Sequence, residues 1–310
     1  MGTHDPHGMV TGFKVNRPLS KSEQQHRFNI RKSVSAKPHY ELSLSQLNST
    51  FVECVDKWFS MRGFVAMGGV LIGTVITYGL LHMPGIYFQG TGHEVMGGML
   101  MSFFAALLAA CAYLFTRDAF TYTHYPIRFN RKNRQVYVFK RNGTVLKAGW
   151  DDIYWTVCGL DLPTRDGFVA GHLLADDKKT VLETFALSKV TTTNALGVQR
   201  LKDHFEFFRR YMEEGPGPVL EAIKPVPLIM LPAIYQQRES WAFGWERLTL
   251  NMNGWPLMQW MFQVFVLPES LFRWIVMRTS KIPQWPQWVE DECRIDPDDP
   301  WVRDERHAAK

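Results

Sequence analysis

Two apolar runs near the front of the chain, Phe64 to Met83 and Val95 to Thr116, constrain its folding most, because neither contains an Asp, Glu, Lys or Arg. A run of about 20 uncharged, mostly apolar residues matches the hydrocarbon thickness of a bilayer. Only Pro84 to Glu94 separates the two, so the sequence predicts a transmembrane helical hairpin within residues 46–118.

Basic flanks stay on the cytoplasmic side of a bilayer, while a short loop without Lys or Arg can cross it. Lys57 and Arg62 precede the first run, Arg117 follows the second, and the connecting MPGIYFQGTGHE has neither residue type. The expected placement is a multi-pass protein of a bacterial inner membrane with both termini cytoplasmic. No short apolar segment with a small-residue cleavage site precedes the first run, which is therefore expected to remain as an anchor. Pro6 breaks the myristoylation pattern.

A mean hydropathy of −0.17 and 21% charged residues are too polar for a polytopic transporter, so most of the chain is expected to lie in water. Cys54, Cys111, Cys158 and Cys293 are scattered without CxxC spacing and are read as reduced thiols, with no disulfide framework and no zinc site. No cofactor is implied.

Small residues four apart mark helix contacts within membranes. Gly98, Ser102, Ala106 and Ala110 form such a stripe in the second run, and Gly69, Gly73 and Thr77 in the first. The reading is that these stripes zip the hairpin; a homodimer through the same stripes is the sharper alternative. Neither run holds an ionisable residue at membrane depth, which makes an anchor and not an ion conduit.

Beyond the second run, over residues 119–214, the pattern changes to short β-rich segments between turn signals: Pro126 to Asn130, Gln135 to Lys140, Thr144 to Gly149, Ile153 to Cys158, Phe168 to Leu174 and Thr180 to Leu187. Asn142-Gly143 is the strongest hairpin signal, since a type I′ turn needs positive φ at both positions. Unbroken short strands argue for an antiparallel meander curled into a barrel or sandwich. Asn194 can then cap a helix running to about Glu214, stopped by Gly215, with Val198, Leu201, Phe205, Phe208 and Met212 on one face.

A strand meander closed by one amphipathic helix, directly after a two-helix membrane hairpin and with Trp150-Asp151 opening a central strand, resembles the bacterial PH-like membrane proteins, including the YcxB-like type. The resemblance implies a membrane hairpin followed by an α+β domain, in which an antiparallel PH-like β-barrel is closed by its C-terminal helix. PIRFNRKNRQVYVF, NGTVLKAGWDDIYW and WPQWVEDECRIDPDDPW are also similar to an uncharacterised proteobacterial membrane-protein family associated with type VI secretion. That likeness implies an accessory or immunity role and transfers no functional residues.

Catalysis requires a nucleophile beside a base, paired carboxylates, a metal cluster or a phosphate cradle. Gly159 to Gly171 matches neither a Walker loop nor a dinucleotide fingerprint, and His124, His172 and His204 lack ligand spacing. The histidines are read as structural. One basic cluster has a physical rationale: Arg128, Arg131, Lys132, Arg134, Lys140 and Arg141 follow shortly after the membrane exit. Cations beside a cytoplasmic leaflet gain about 1 kcal/mol each from anionic lipid. They serve either to enforce topology or to bind membrane lipids or a protein partner. No nucleic-acid partner is expected, because the net charge is only +5 and Gln284 to Lys310 is acidic.

Residues 215–282 form a Trp-rich helical region. Within it, Trp255 to Met277 carries Gln259, Gln263, Ser270 and Arg273 on one helical face, which suits an amphipathic helix at a membrane interface or one buried against its neighbours. Pro283 to Trp301, within an arm of residues 283–310, has too many prolines for a regular helix and should wrap a surface, its own basic face or a partner's. Residues 1–45, polar and aperiodic, are expected to be flexible. The leading expectation is a non-catalytic inner-membrane protein presenting a cytoplasmic domain to a protein partner. The alternative is a membrane-associated enzyme acting on lipid, with a site assembled from residues distant in sequence.

Overall fold

The computed structural model describes residues 5–8, 12–90, 92–160, 166–223, 238–251 and 256–304. In chain order the elements are β1 (Arg17–Pro18), α1 (Lys21–Gln25), β2 (Leu44–Leu47), β3 (Phe51–Cys54), α2 (Phe64–Tyr87), α3 (Glu94–Asp118), β4 (Ile127–Asn130), β5 (Gln135–Phe139), β6 (Val145–Gly149), β7 (Tyr154–Cys158), β8 (Gly167–Leu174) and β9 (Thr180–Thr191). The helices α4 (Ala195–Glu214), α5 (Pro216–Ile223), α6 (Trp241–Asn251), α7 (Pro256–Met261), α8 (Gln263–Thr279) and α9 (Gln287–Glu292) follow. The chain divides into two compact units. Unit 1 comprises Met1–Phe59, His124–Arg238 and Ile282–Lys310, and unit 2 comprises Ser60–Thr123 and Glu239–Lys281.

Unit 1 is an α+β body built on a curled antiparallel framework. Its strands run in the orders β2-β3-β4-β5-β6 and β1-β9-β8-β7. The meander expected from the sequence is present: β4 to β9 each overlap an expected segment. One turn differs. Gly143 has φ 82°, but Asn142 does not take positive φ; its side chain instead accepts from the Thr144 N–H (3.1 Å) and hydroxyl (2.7 Å), so an Asx-type turn replaces type I′. The two sheets and α4 share one core, in which Phe129, Trp150, Trp155, Phe185, Phe205 and Phe208 are buried. The Asn194 cap and the Gly215 stop form as expected, the Asn194 carboxamide accepting from Gly197 N at 2.7 Å and Gly215 taking φ 96°.

Two expectations about boundaries are corrected. Strands β2 and β3 precede the hairpin in sequence yet pair with β4, in register Phe51↔Asn130 to Cys54↔Ile127. The hairpin is thus inserted into the β framework, and residues 46–54 belong to unit 1. The strands were hidden by their shortness, LSQL and FVEC around an Asn48-Ser49-Thr50 turn. Residues 12–45, expected to be flexible, carry β1, α1 and the buried anchors Phe28, Tyr40 and Leu44. They lack periodicity because the segment crosses the surface as single contacts. Glu206, for example, accepts from Ser33 Oγ (2.8 Å) and Val34 N (2.9 Å).

Unit 2 contains α2 and α3, two helices long and apolar enough to cross a membrane. Gly69 and Gly73 lie on the side of α2 toward α3: a Cβ at Gly69 would lie 3.1 Å from the Cys111 carbonyl, and one at Gly73 would lie 3.4 Å from Leu108 Cδ1. The stripe expected on α3 is corrected. A Cβ at Gly98 would meet nothing within 4 Å, and Ser102, Ala106 and Ala110 are exposed. Gly97 is the close contact instead, its Cβ position 2.5 Å from Tyr87 Cβ. Small residues permit close approach but do not choose the face; here the larger Leu108 and Cys111 fill the groove.

Arg62 and Asp118 close the base of the hairpin, both buried. Asp118 Oδ2 accepts from Gly63 N (3.0 Å) and Ala66 N (3.2 Å), capping α2 from the end of α3. Arg62 donates back to the Asp118 carbonyl at 2.9 Å. Gly63 has φ +92°, and a Cβ there would sit 2.3 Å from Arg273 N, so α8 packs directly on this turn.

The polarity of α8 is inverted. Its buried face holds Val266, Ser270, Arg273, Val276 and Met277, whereas Val264, Phe265, Leu267 and Leu271 are exposed. Arg273 donates to Glu239 (2.6 and 2.9 Å), Trp241 Nε1 to Ser270 Oγ (2.9 Å) and Trp245 Nε1 to Gln263 Oε1 (2.7 Å). The polar stripe read from the sequence is real, but it faces protein and the apolar side faces out. Trp255, named in that reading, lies outside the described residues.

Candidate functional site

The basic segment is the first site to place, and five of its six named cations pair with carboxylates in unit 1. Arg128 is fully buried, between the rings of Phe51 (4.1 Å) and Trp285 (4.9 Å), and pairs with Glu53 (2.9 Å) and Glu290 (3.2 Å). Lys132 pairs with Asp296 at 2.8 Å, Arg134 with Asp151 and Glu213 at 2.6 and 2.8 Å, Lys140 with Glu183 at 2.9 Å and Arg141 with Asp5 at 3.1 Å. The Arg131 guanidinium lies against Gly215 at the end of α4.

Two of these partnerships, with Glu290 and Asp296, and a further pair, Lys147–Glu292, fasten the C-terminal arm. Of the two surfaces open to the arm in sequence, it takes its own basic face. The arm is also more regular than its prolines suggest. The helix α9 starts just after Pro286 at its N-cap, and Val289 and Cys293 pack on Phe51 and Tyr137. Lys57, read in sequence as a topology flank, is buried with its ammonium over Phe13 (4.9 Å), Trp58 (5.0 Å) and Phe168 (4.4 Å), and burial lowers its pKa to about 8.

A second constellation joins residues that sequence spacing kept apart. Cys158 and His172 lie on neighbouring strands β7 and β8, at positions whose side chains share the face opposite Trp155 and Val157. The short helix α1 packs on β7 and brings Glu23 to the same place. Cys158 Sγ lies 3.5 Å from Glu23 Oε1 and 3.6 Å from His172 Nε2, and His172 Nε2 lies 3.4 Å from Glu23 Oε1. His172 is fully buried, Glu23 buried and Cys158 half-buried.

Each corner has a support. His172 Nδ1 is 2.8 Å from Thr184 Oγ1 on β9. Glu23 belongs to a capping box with Ser20, whose N–H donates to Oε2 at 2.7 Å, and Arg17 donates to both carboxylate oxygens (2.6 and 2.8 Å). Burial pushes the Glu23 carboxyl up, but hydrogen bonds from Arg17, His172 and Ser20 outweigh it and hold the group well below the usual carboxylate range. Among the described residues, these three are the His, Cys, Asp and Glu side chains grouped closely enough to hold one metal ion.

Sequence reasoning missed Glu23 and Cys158 and read His172 as structural. The available signal was weak: Ser20 followed three residues later by Glu23 marks the capping box, and nothing local ties it to β7, 135 positions away. No curated protein and no solved structure matches the chain. One family model, whose description is "Family of unknown function (DUF6708)", matches residues 104–297, more than half of the 310 residues, and the chain belongs to that family.

Proposed function

We propose that the protein is a non-catalytic, multi-pass protein of a bacterial inner membrane, and that it holds unit 1 on the cytoplasmic side as a PH-like module for a protein partner. The observation that carries this reading is the inverted polarity of unit 2. The pairs Arg62–Asp118 and Arg273–Glu239 are buried, while large apolar side chains such as Val75, Leu81, Val95, Trp260 and Val264 are more than two-thirds exposed. A surface of that kind is stable against lipid and aggregates in water. In unit 1 the meander followed by the capped helix α4 supports the PH-like reading.

Internal pairing of the basic segment favours a protein partner over lipid head groups, since five of the six named cations already have carboxylate partners in unit 1. The resemblance to secretion-associated membrane proteins makes an accessory or immunity role the form such binding takes. Reporter fusions after Gln89 and at Lys310 test the placement, with the first expected outside and the second inside; a periplasmic Lys310 overturns it. Affinity purification of the full chain from its native membrane is expected to recover one defined protein at near-stoichiometric yield. Recovery of lipid and background alone counts against the partner. The alternative, an enzyme acting on lipid, is favoured by one observation, the convergence of a thiol, an imidazole and a carboxylate on β7, β8 and α1. Turnover of membrane lipid by the purified wild type, absent in C158S, would establish it.

A further inference from the structure

We propose that Glu23, Cys158 and His172 form a mononuclear binding site for a divalent late transition metal of the zinc class, with three protein ligands and a fourth position left for water. The first reason is metric. A tetrahedral ion with bonds of about 2.3 Å to sulfur and 2.0–2.1 Å to nitrogen or oxygen holds its ligand atoms about 3.3–3.6 Å apart. The three separations here are 3.4, 3.5 and 3.6 Å. A single ion about 2.3 Å from the sulfur and about 2.0–2.1 Å from the nitrogen and oxygen matches these separations.

The second reason is the donor set. Thiolate, imidazole and carboxylate together suit a borderline-soft ion of the zinc class and suit neither Ca²⁺ nor Mg²⁺, which take oxygen ligands. A thiolate and a carboxylate also balance the two charges of the ion. Binding releases one proton, from the Cys158 thiol to solvent, and nothing is oxidised or reduced.

The third reason is the outer support. Metal-binding histidines donate their other ring N–H to a fixed acceptor, and metal-binding carboxylates are held by hydrogen bonds. His172 Nε2 faces the other two ligand atoms; without the ion it donates to Glu23, and on binding the ring proton would shift to Nδ1, which would donate to Thr184 Oγ1 at 2.8 Å and free the Nε2 lone pair. Arg17 and the Ser20 N–H fix Glu23, yet a carboxylate has about four lone-pair positions, so Oε1 keeps capacity for the ion. Three rigid pieces of unit 1, two paired strands and a capped helix, thus carry one ligand each. The site stands independently of the membrane and partner readings, because all its residues lie in unit 1.

The test uses the full chain in detergent, stripped with chelator and titrated with Co²⁺. The wild type is expected to take up one ion per chain, with thiolate-to-cobalt charge-transfer absorption in the near ultraviolet and the intense visible bands of a tetrahedral ion. The C158S variant should lose the charge-transfer band. H172Q and E23Q should weaken binding by more than about 100-fold, and T184V by about 10–100-fold, the usual effect of losing an outer-shell partner. Zn²⁺ should raise the melting temperature of the wild type and leave that of C158S unchanged.

Absence of stoichiometric Co²⁺ uptake by folded wild type, a six-coordinate spectrum without thiolate bands, or an unchanged band in C158S would each overturn the site. Should C158S fail to fold, the wild-type spectrum together with H172Q decides: weakened binding in H172Q supports the site, and full affinity overturns it. The other thiols are poor competitors. Cys54 and Cys293 are buried, which pushes both thiols up, and Cys111 lies within α3.

Discussion

Arg128 and Arg273 are both fully buried and both paired with glutamate, yet they sit in opposite kinds of protein. In unit 1, Arg128 lies between two aromatic rings and ties the arm to the outside of a sheet whose interior is apolar. In unit 2, Arg273 lies in the interior beside Val266, Val276 and Met277, while Val264, Phe265, Leu267 and Leu271 of the same helix face outward. The same ion pair is a fastening in one unit and a core in the other. On the proposed membrane placement, what decides is the medium outside: water rewards a polar exterior, whereas lipid leaves buried polar groups to satisfy one another.

The largest effect expected from this contrast comes from Glu239→Ala, which removes the carboxylate paired with the buried Arg273 and should cost about 3–5 kcal/mol. The double change E239L/R273M removes both charges and should recover most of that loss. Thermal unfolding in detergent, followed by tryptophan fluorescence, measures both; a double variant no better than the single would show that the pair is more than a neutralised core.

The next test compares two surface leucines. Leu271→Arg on the outward face of α8 should cost about 2–3 kcal/mol of membrane insertion. Leu196→Arg, at the start of α4 in unit 1, should stay within about 0.5 kcal/mol. Membrane-fraction yield and melting of the extracted protein report the two. Equal tolerance would place the outer face of α8 in water.

A third difference is titratable. His204, buried beside Ser188 and the His39 carbonyl, has its pKa lowered by burial to about 4. A histidine kept neutral by the fold binds its proton more readily when unfolded, so its contribution is complete above the unfolded value near 6.5. It is lost as pH falls toward 4, and amounts to something on the order of 3 kcal/mol. Glu206 acts in the same direction at lower pH. Burial raises it, but Arg209, Arg210, Val34 and Ser33 hold it near about 2, so its contribution is lost between the normal carboxylate range and pH 2. Melting temperature should therefore decline from pH 6.5 to 4, and H204Q should flatten that slope; a variant that keeps the full slope assigns it elsewhere.

The smallest effect belongs to the arm. Lys147→Glu repels Glu292 across an exposed pair and should cost at most about 1 kcal/mol, less at high salt. Its readout is faster proteolysis within the arm at low ionic strength. No change with charge or salt would show that the Lys147–Glu292 pair does not hold the arm, leaving Arg128–Glu290, Lys132–Asp296 and the packing of Trp285, Val289 and Cys293.

Local pattern made much of this molecule legible. The absence of charge over two helix-length runs, the turn residues between short strands, and Asn194 and Gly215 around one apolar helical face each act within a few residues. The corresponding elements form where the sequence places them. Gly69 and Gly73 lie where α2 approaches α3 closely, and such an approach demands a small residue. The site was not readable. Arg128 and Lys132 look like surface cations until Glu53, Glu290 and Asp296 arrive from elsewhere in the chain.

The chain alone therefore determined its apolar helices, its meander and its capped helix, because hydrogen-bonding period and side-chain size are local properties. Tertiary structure decided which side of α8 faces out, that β2 and β3 join β4 across the inserted hairpin, and that Glu23 meets Cys158 and His172. Those outcomes depend on which distant surfaces cover one another. A pair such as Glu23 and Cys158 leaves no periodic trace in sequence, because its geometry exists only once both sheets and α1 have packed.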